Sequence, residues 1–433
     1  MLRRIAWLGL AFFVGWGSIG LSLSLLAIAG LRPAPVTAIV AGVGLAAVAR
    51  LHAPAADGAP LAPESAQPFP ARIITWAGML AVSLSLAAAA GRAILRGADT
   101  NWDVWAFWLP KARAIYYFGG LDSGPAGITS YAHPEYPPLL PIQNALLFGF
   151  QGNASAIMLP LQNVVIAAAF FLALAAMLRS RVAGYILWPS LALLASASSL
   201  TRYFDSALAD PTMAFTLALA GTSAALWWLE RHARWRNLTG LLLAVATLQK
   251  SEGLLLALLL GALLVILACL ERRQRREALS LAAVPLLAIL PWRVWLARLA
   301  EPLPPPNYNW RDLFDPGLLV DRSDRLTYAV GEMLSLIIAP QAWLLIVPAA
   351  LVVAAIAAPA QPALAGLVLG WLGLSFLGLA TVYWIGSPPV DWYVDTSAKR
   401  VLLSLGAFAG ALLPLLTAEA LSSRQRQPPV SPL

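Results

Sequence analysis

An all-α, polytopic transmembrane bundle is the fold class the sequence predicts, and three observations predict it. The 433-residue chain is 60% hydrophobic and 12% charged, with a mean hydropathy of +0.73, whereas soluble chains carry about a quarter charged residues. Apolar runs recur at close to the roughly 20 residues a helix needs to cross a bilayer. Arginines gather in short clusters between alternate runs, the pattern of cytoplasmic loops. The same clustering makes the net charge of +8 a matter of topology and leaves no basic face for nucleic acid. The single cysteine, Cys269, sits in an apolar run, cannot pair within the chain and is expected to fill space.

Twelve spans are expected, at 5–30, 34–50, 73–94, 154–178, 182–200, 208–229, 237–250, 253–270, 278–298, 341–358, 363–385 and 400–418. The first follows "MLRR" and has an apolar stretch about twice a signal-peptide core, so it reads as an uncleaved anchor. The Ala/Pro-rich stretch 52–70 has no periodicity and reads as a loop. With the N-terminus inside, "MLRR", 50–72, "RSR", "RHARWR", "ERRQRRE" and "SSRQRQ" all fall on the cytoplasmic side. They hold 15 basic and 6 acidic residues, leaving 14 basic and 15 acidic on the other side of the 29 and 21 in the chain. The whole chain, 1–433, then reads as one membrane domain, with 99–153 as its first large outer loop and 299–340 as a second outer segment.

That topology sends nearly every unusual polar residue to one face, where ionisable groups near membrane depth suggest a site. In "NWDVWAFWLPKARAIYYFGG" (101–120), Asp103, Phe107 and Lys111 are spaced i, i+4, i+8 and share one helix face, while Trp102, Trp105 and Trp108 suit an interfacial helix. Asp103 is the candidate functional carboxylate; its alternative reading is a helix N-cap. In "YAHPEYPPLLP" (131–141), prolines are expected to hold His133 and Glu135 in an extended segment. The apolar run 139–150 is too short to span and is expected to pack on or dip into the outer leaflet.

Further along, "FDSALADPTMAF" places Asp205 and Asp210 at the mouth of the sixth span, one of them expected as a cap. "LQKSEGLLL" joins two spans with almost no loop, which fixes Lys250 and Glu252 at a hairpin tip. "DWYVDTSAKRVLL" brings Asp391, Asp395, Lys399 and Arg400 to the outer end of the last span. The plain alternatives are a snorkelling lysine and interfacial anchoring. Asp103, Asp205, Asp210, His133 and Glu135 could converge on a divalent cation, but no tight ligand spacing demands one. No cofactor is required by the sequence.

In this order and on this common side, the acidic first outer loop, "LPKARAIYYFGG", "HPEYPPLLP", "ADPTMAF", "LLAVATLQKSEGLLL" and "DTSAKRVLLSL" resemble the GT-C superfamily of polytopic glycosyltransferases, which includes protein O-mannosyltransferases and lipid A aminoarabinose transferases. The likeness runs along nearly the whole chain. It departs in having three expected spans before the acidic loop, where family members commonly have one, and in the absence of an acid adjacent to Asp103. The resemblance implies a sugar donor on a polyprenyl-phosphate carrier, a hydroxyl acceptor on lipid, glycan or protein, and a site on the outer face of the cytoplasmic membrane. It also implies Asp103 as base, with Lys111, His133, Glu135, Asp205, Asp210, Lys250, Glu252 and Arg400 as substrate-binding candidates and Lys250 and Arg400 on the phosphate. A transporter or flippase is the leading alternative; a non-catalytic lipid-binding or assembly protein is a third.

Overall fold

The computed structural model describes residues 2–51, 68–121, 127–299 and 303–426. Their regular structure is helical, joined by turns and one isolated β-bridge between Tyr308 and Gly386. The first helices are α1 (Leu2–Ile28), α2 (Pro35–Leu51) and α3 (Phe69–Arg96). A π turn, Val104–Trp108, runs directly into α4 (Leu109–Phe118). Next come α5 (Leu139–Gln151), α6 (Leu159–Leu178), α7 (Gly184–Ser196), the single turn α8 (Ser198–Thr201), α9 (Ala209–Glu230), α10 (Ala233–Thr247), α11 (Ser251–Leu270) and α12 (Arg275–Ala297). The C-terminal part holds α13 (Pro316–Asp321), α14 (Ser323–Ile338), α15 (Pro340–Trp343), α16 (Ile346–Ala357), α17 (Pro362–Ile385), α18 (Val390–Val401) and α19 (Leu403–Arg426).

Helix α9 is the axis of the molecule. It is apolar all round, the mark of a helix enclosed by others, and 94% of its most apolar window is buried, against 17% for the peripheral α3. Helices α10 and α19 flank α9, α16 packs on α19, α17 packs on α11, α14 and α16, and the pairs α1 with α6, α3 with α7 and α11 with α12 complete the bundle. Close approach depends on small residues at two points: a Cβ at Gly221 of α9 would meet the Phe408 ring of α19 at 2.1 Å, and one at Gly406 would meet the Trp343 ring at 2.1 Å.

Eight helices are long and apolar enough to cross a membrane, and they coincide with eight of the expected spans. The expected second, fifth and tenth spans are shorter apolar helices, Pro35–Ala46, Gly184–Ser196 and Ile346–Ala357. The seventh is α10, whose first turns carry Arg234 and Arg236. The chain is therefore a multi-pass membrane protein with a lipid bilayer as its solvent.

Three local expectations are corrected. The tenth span does not run unbroken from 341: Leu344 and Leu345 both take left-handed backbone angles and separate α15 from α16, which starts at Ile346. The run 139–150 is α5, and most of it lies inside the protein against α1 and α4, with Leu139, Ile142 and Phe148 fully buried. Cys269 lies exposed on α11 and fills no core space.

Polar side chains concentrate at the two ends of the bundle. At one end, Arg181 pairs with Glu230 at 3.0 Å and Glu419 at 3.4 Å, Trp235 donates to Glu230 at 2.6 Å, Trp228 to Glu271 at 3.2 Å and Gln361 to Glu419 at 3.0 Å. At the other end lie Asp210 and its partners. Asp210 and Glu230 are near opposite ends of α9, and at 1.5 Å per residue that separates the two layers by about 30 Å, the thickness of a bilayer hydrocarbon core.

Candidate functional site

The carboxylate singled out at Asp103 finds its partner 297 residues away: Arg400 Nη1 donates to Asp103 Oδ2 in a close ion pair. Asp103 occupies the N-cap position of the π turn but its side chain caps nothing, so the capping reading does not describe it. The local sequence explains why Asp103 and Lys111 are placed as they are. Pro110 has no N–H and its ring crowds the carbonyl four residues back, so the helix widens just before it and Leu109 N–H reaches Val104 O, five residues back. The widened turn interrupts the i, i+4, i+8 face expected from spacing. Both charges still face protein: Asp103 meets α18, while Lys111 is fully buried and donates to His133 O.

His133 is not extended. Its φ is +54° and its carbonyl also accepts from Tyr136 N–H at 3.1 Å, closing a turn with Pro134 at the position where a fixed φ is favoured. The turn places His133 Nδ1 3.3 Å from Glu135 Oε1 and stacks the imidazole on the Tyr136 ring at 4.6 Å. Trp292 of α12 donates to Glu135 O at 3.0 Å and anchors the turn from the other side. Tyr136 then forms a floor: its ring lies 6.0 Å from Lys111 Nζ and 5.7 Å from Lys250 Nζ.

Lys250 ends the α10 hairpin and precedes α11. Its ammonium pairs with Asp210 of α9 at 2.8 Å and with Glu252 at 3.2 Å, all three being buried. Asp210, placed in the first turn of α9, caps nothing; like Asp103 it is spent on an ion pair. Asp210 Oδ2 and Glu252 Oε2 are buried without a hydrogen-bond partner among the described residues. Buried polar atoms are usually satisfied, so these two oxygens are acceptors suited to the hydroxyls of a ligand. Arg400 lies close enough to Asp210 and Lys250 to interact electrostatically with both. Asp103, Arg400, Asp210, Lys250, Glu252, Tyr136, His133, Glu135 and Lys111 are thus one contiguous cluster drawn from the 99–153 loop, α9, the α10/α11 hairpin and α18.

The electrostatics are uneven. Burial drives the Lys111 ammonium down to about 7, only partly opposed by Glu135. Burial pushes Glu135 upward, but hydrogen bonding and charge from His133, with help from Lys111, leave it below its usual range. Burial above all, with the Glu252 and Glu135 carboxylates adding to it, raises the phenols of Tyr308 and Tyr136 far above their ordinary value. These phenols stay protonated and can only donate or accept hydrogen bonds.

One expected member lies elsewhere: Asp205 is held by Arg92 at 2.9 Å and Arg96 at 3.8 Å, on the α3 side of the molecule. No group of three or more His, Cys, Asp or Glu side chains suited to a metal occurs among the described residues, so Asp103, Asp205, Asp210, His133 and Glu135 do not converge. Sequence reading missed Tyr136, Trp292 and Tyr308. Tyr136 directly follows Glu135 in a proline-rich turn, which was a usable signal; the other two come from distant segments with none. Comparison of the chain with protein-family models, curated proteins and solved structures gives no match.

Proposed function

We propose that this protein is an inverting glycosyltransferase that moves a sugar from a polyprenyl-phosphate carrier to a hydroxyl acceptor at the outer face of the cytoplasmic membrane. The observation that carries the reading is the paired charge at one end of the bundle: a half-buried carboxylate on Arg400, beside a buried lysine on two more buried carboxylates. A lipid-linked phosphate emerges from the bilayer at that depth. GT-C-like architecture with twelve crossings accommodates the eight long helices, the three shorter apolar ones and α10.

In this reading the donor phosphate competes with Asp103 for the Arg400 guanidinium, whose planar fork suits two phosphate oxygens. Asp103, released, takes the proton from the acceptor hydroxyl as its oxygen attacks the anomeric carbon. The bond from that carbon to phosphate oxygen breaks, and the electron pair leaves on the phosphate, where Arg400 and Lys250 offset the charge. One displacement inverts the anomeric centre and needs only one catalytic carboxylate. The spare oxygens of Asp210 and Glu252 take sugar hydroxyls.

The competing reading, a transporter or flippase, calls for ionisable groups near the midplane. Here Asp210, Lys250 and Glu252 sit at helix ends, which favours transfer. Purified protein incubated with polyprenyl-phosphate sugars and envelope lipid or glycan acceptors should release polyprenyl phosphate and form a glycoside of inverted configuration. Absence of transfer, with sugar-lipid translocation in proteoliposomes, would establish the alternative.

A further inference from the structure

A second polar cleft, of about 220 Å³, opens between the end of α3, the start of α6 and the 202–206 segment; its polar lining includes Arg96, Asp99, Asn101, Arg202, Tyr203 and Asp205. It lies at the same end of the bundle as the Asp103 cluster but differs from it in electrostatic state. Arg400 and Lys250 are each matched to carboxylates at close range. In the cleft the acids are held by close partners, whereas Arg96 is paired only loosely and Arg202 meets no carboxylate among the described residues. Asp99 accepts from Ser206 Oγ at 2.8 Å, Ala207 N at 2.8 Å and Asn101 N at 2.9 Å. Asp205 is engaged by Arg92 at 2.9 Å, so Arg96 meets it only at 3.8 Å and keeps 65% of its side chain exposed. Arg202 is exposed and donates through Nε to the Ser198 carbonyl at 3.1 Å; no carboxylate pairs with it among the described residues.

Exposed apolar side chains adjoin the lining residues. Leu95, beside Arg96, is 89% exposed, and Ile157 lies 3.6 Å from where a Cβ at Gly97 would stand. Trp102 and Trp105, next to Asn101, are exposed and packed edge to face at 6.0 Å, the kind of pair found at head-group level. Two largely exposed guanidinium groups, one loosely paired and one without a carboxylate, next in the chain to exposed apolar side chains, match an amphiphile, with its phosphate in the cleft and its acyl chains on the neighbouring apolar surface. We propose that this cleft binds the phosphate of an anionic membrane lipid, held by Arg96 and Arg202. The inference depends on the cleft alone and stands whether or not the transferase reading holds.

Native mass spectrometry of the full chain in detergent, titrated with phosphatidylglycerol or phosphatidylcholine, tests it. The wild type should retain phosphatidylglycerol in preference to phosphatidylcholine. Arg96→Gln with Arg202→Gln should weaken phosphatidylglycerol binding at least tenfold, while Arg276→Gln, an exposed arginine at the opposite end, leaves it unchanged. The Arg96→Lys, Arg202→Lys pair keeps the charge and should retain part of the preference even if the glutamine pair fails to fold. Equal binding of the two lipids, or full retention in a folded glutamine pair, would overturn the assignment. Displacement of the lipid by inorganic phosphate at comparable concentration would also overturn it, since the occupant would then be a free phosphate.

Discussion

Asp103 and Arg400 show how far single residues could be read in the chain. Each stood out in sequence, Asp103 as a carboxylate among tryptophans and Arg400 in a basic pair at the end of a span. Their union across 297 positions could not be read, because no local spacing encodes a contact between a loop and the last helix. The pair makes Arg400 a residue whose shape matters as well as its charge. If Arg400 takes the donor phosphate as proposed, Arg400→Lys should cut transfer at least tenfold in a steady-state assay, since the fork suited to two phosphate oxygens is lost while the charge stays; unchanged turnover would remove Arg400 from the proposed phosphate site. Lys111 gives a second test. Its folded value of about 7 lies below the 10.5 of the unfolded chain, so the unfolded state binds more protons between those limits. The destabilisation from burying this charge is full below pH 7 and fades toward pH 10.5. Lys111→Met should therefore raise Tm relative to wild type more at pH 6 than at pH 10, measured in the same detergent. An equal change at both would show that folding does not lower the Lys111 ammonium from its ordinary value.

At the scale of elements, the apolar runs were legible because length and composition alone decide whether a helix can cross a membrane. The breaks were not. The π turn before Pro110 and the break at Leu344 and Leu345 depend on a few backbone angles and leave no periodic trace. The hairpin that carries Lys250 was foreseen from the near absence of a loop in "LQKSEG", and its tightness has a specific cause. A Cβ at Gly253 would stand 2.0 Å from the Ala246 carbonyl oxygen of α10, so only glycine lets α11 leave the tip so close to α10. Gly253→Ala should destabilise the protein by about 1–3 kcal/mol, the usual result of overpacking, and displace Lys250 from Asp210. Thermal unfolding in detergent measures the first effect. A Tm equal to wild type would mean that the hairpin relaxes freely.

For the whole molecule, sidedness was the most informative reading. The residues grouped as one face by counting spans do gather at one end of the bundle, about 30 Å from the arginine-rich end. From the charge asymmetry of the loops we propose that the Asp103 end faces out. With Cys269 replaced by alanine, cysteines introduced at Asn153 and Arg273 should react with a membrane-impermeant thiol reagent from opposite sides, Asn153 from outside. Labelling of both from one side would overturn the topology. Ser123, at the centre of the first outer loop, lies outside the described residues.

In the proposed reaction Asp103 is the base, and its contact with Arg400 holds it until donor arrives. Asp103→Asn keeps shape and hydrogen-bonding reach to Arg400 while removing basicity. Single-turnover transfer from a polyprenyl-phosphate sugar, measured with donor binding and Tm on the same preparation, separates chemistry from structure. Asp103→Asn is expected to lose roughly 100-fold to 10,000-fold in rate, the contribution of a positioned general base, with donor still bound and Tm close to wild type. Transfer at the wild-type rate by a folded, donor-binding Asp103→Asn protein would contradict the account.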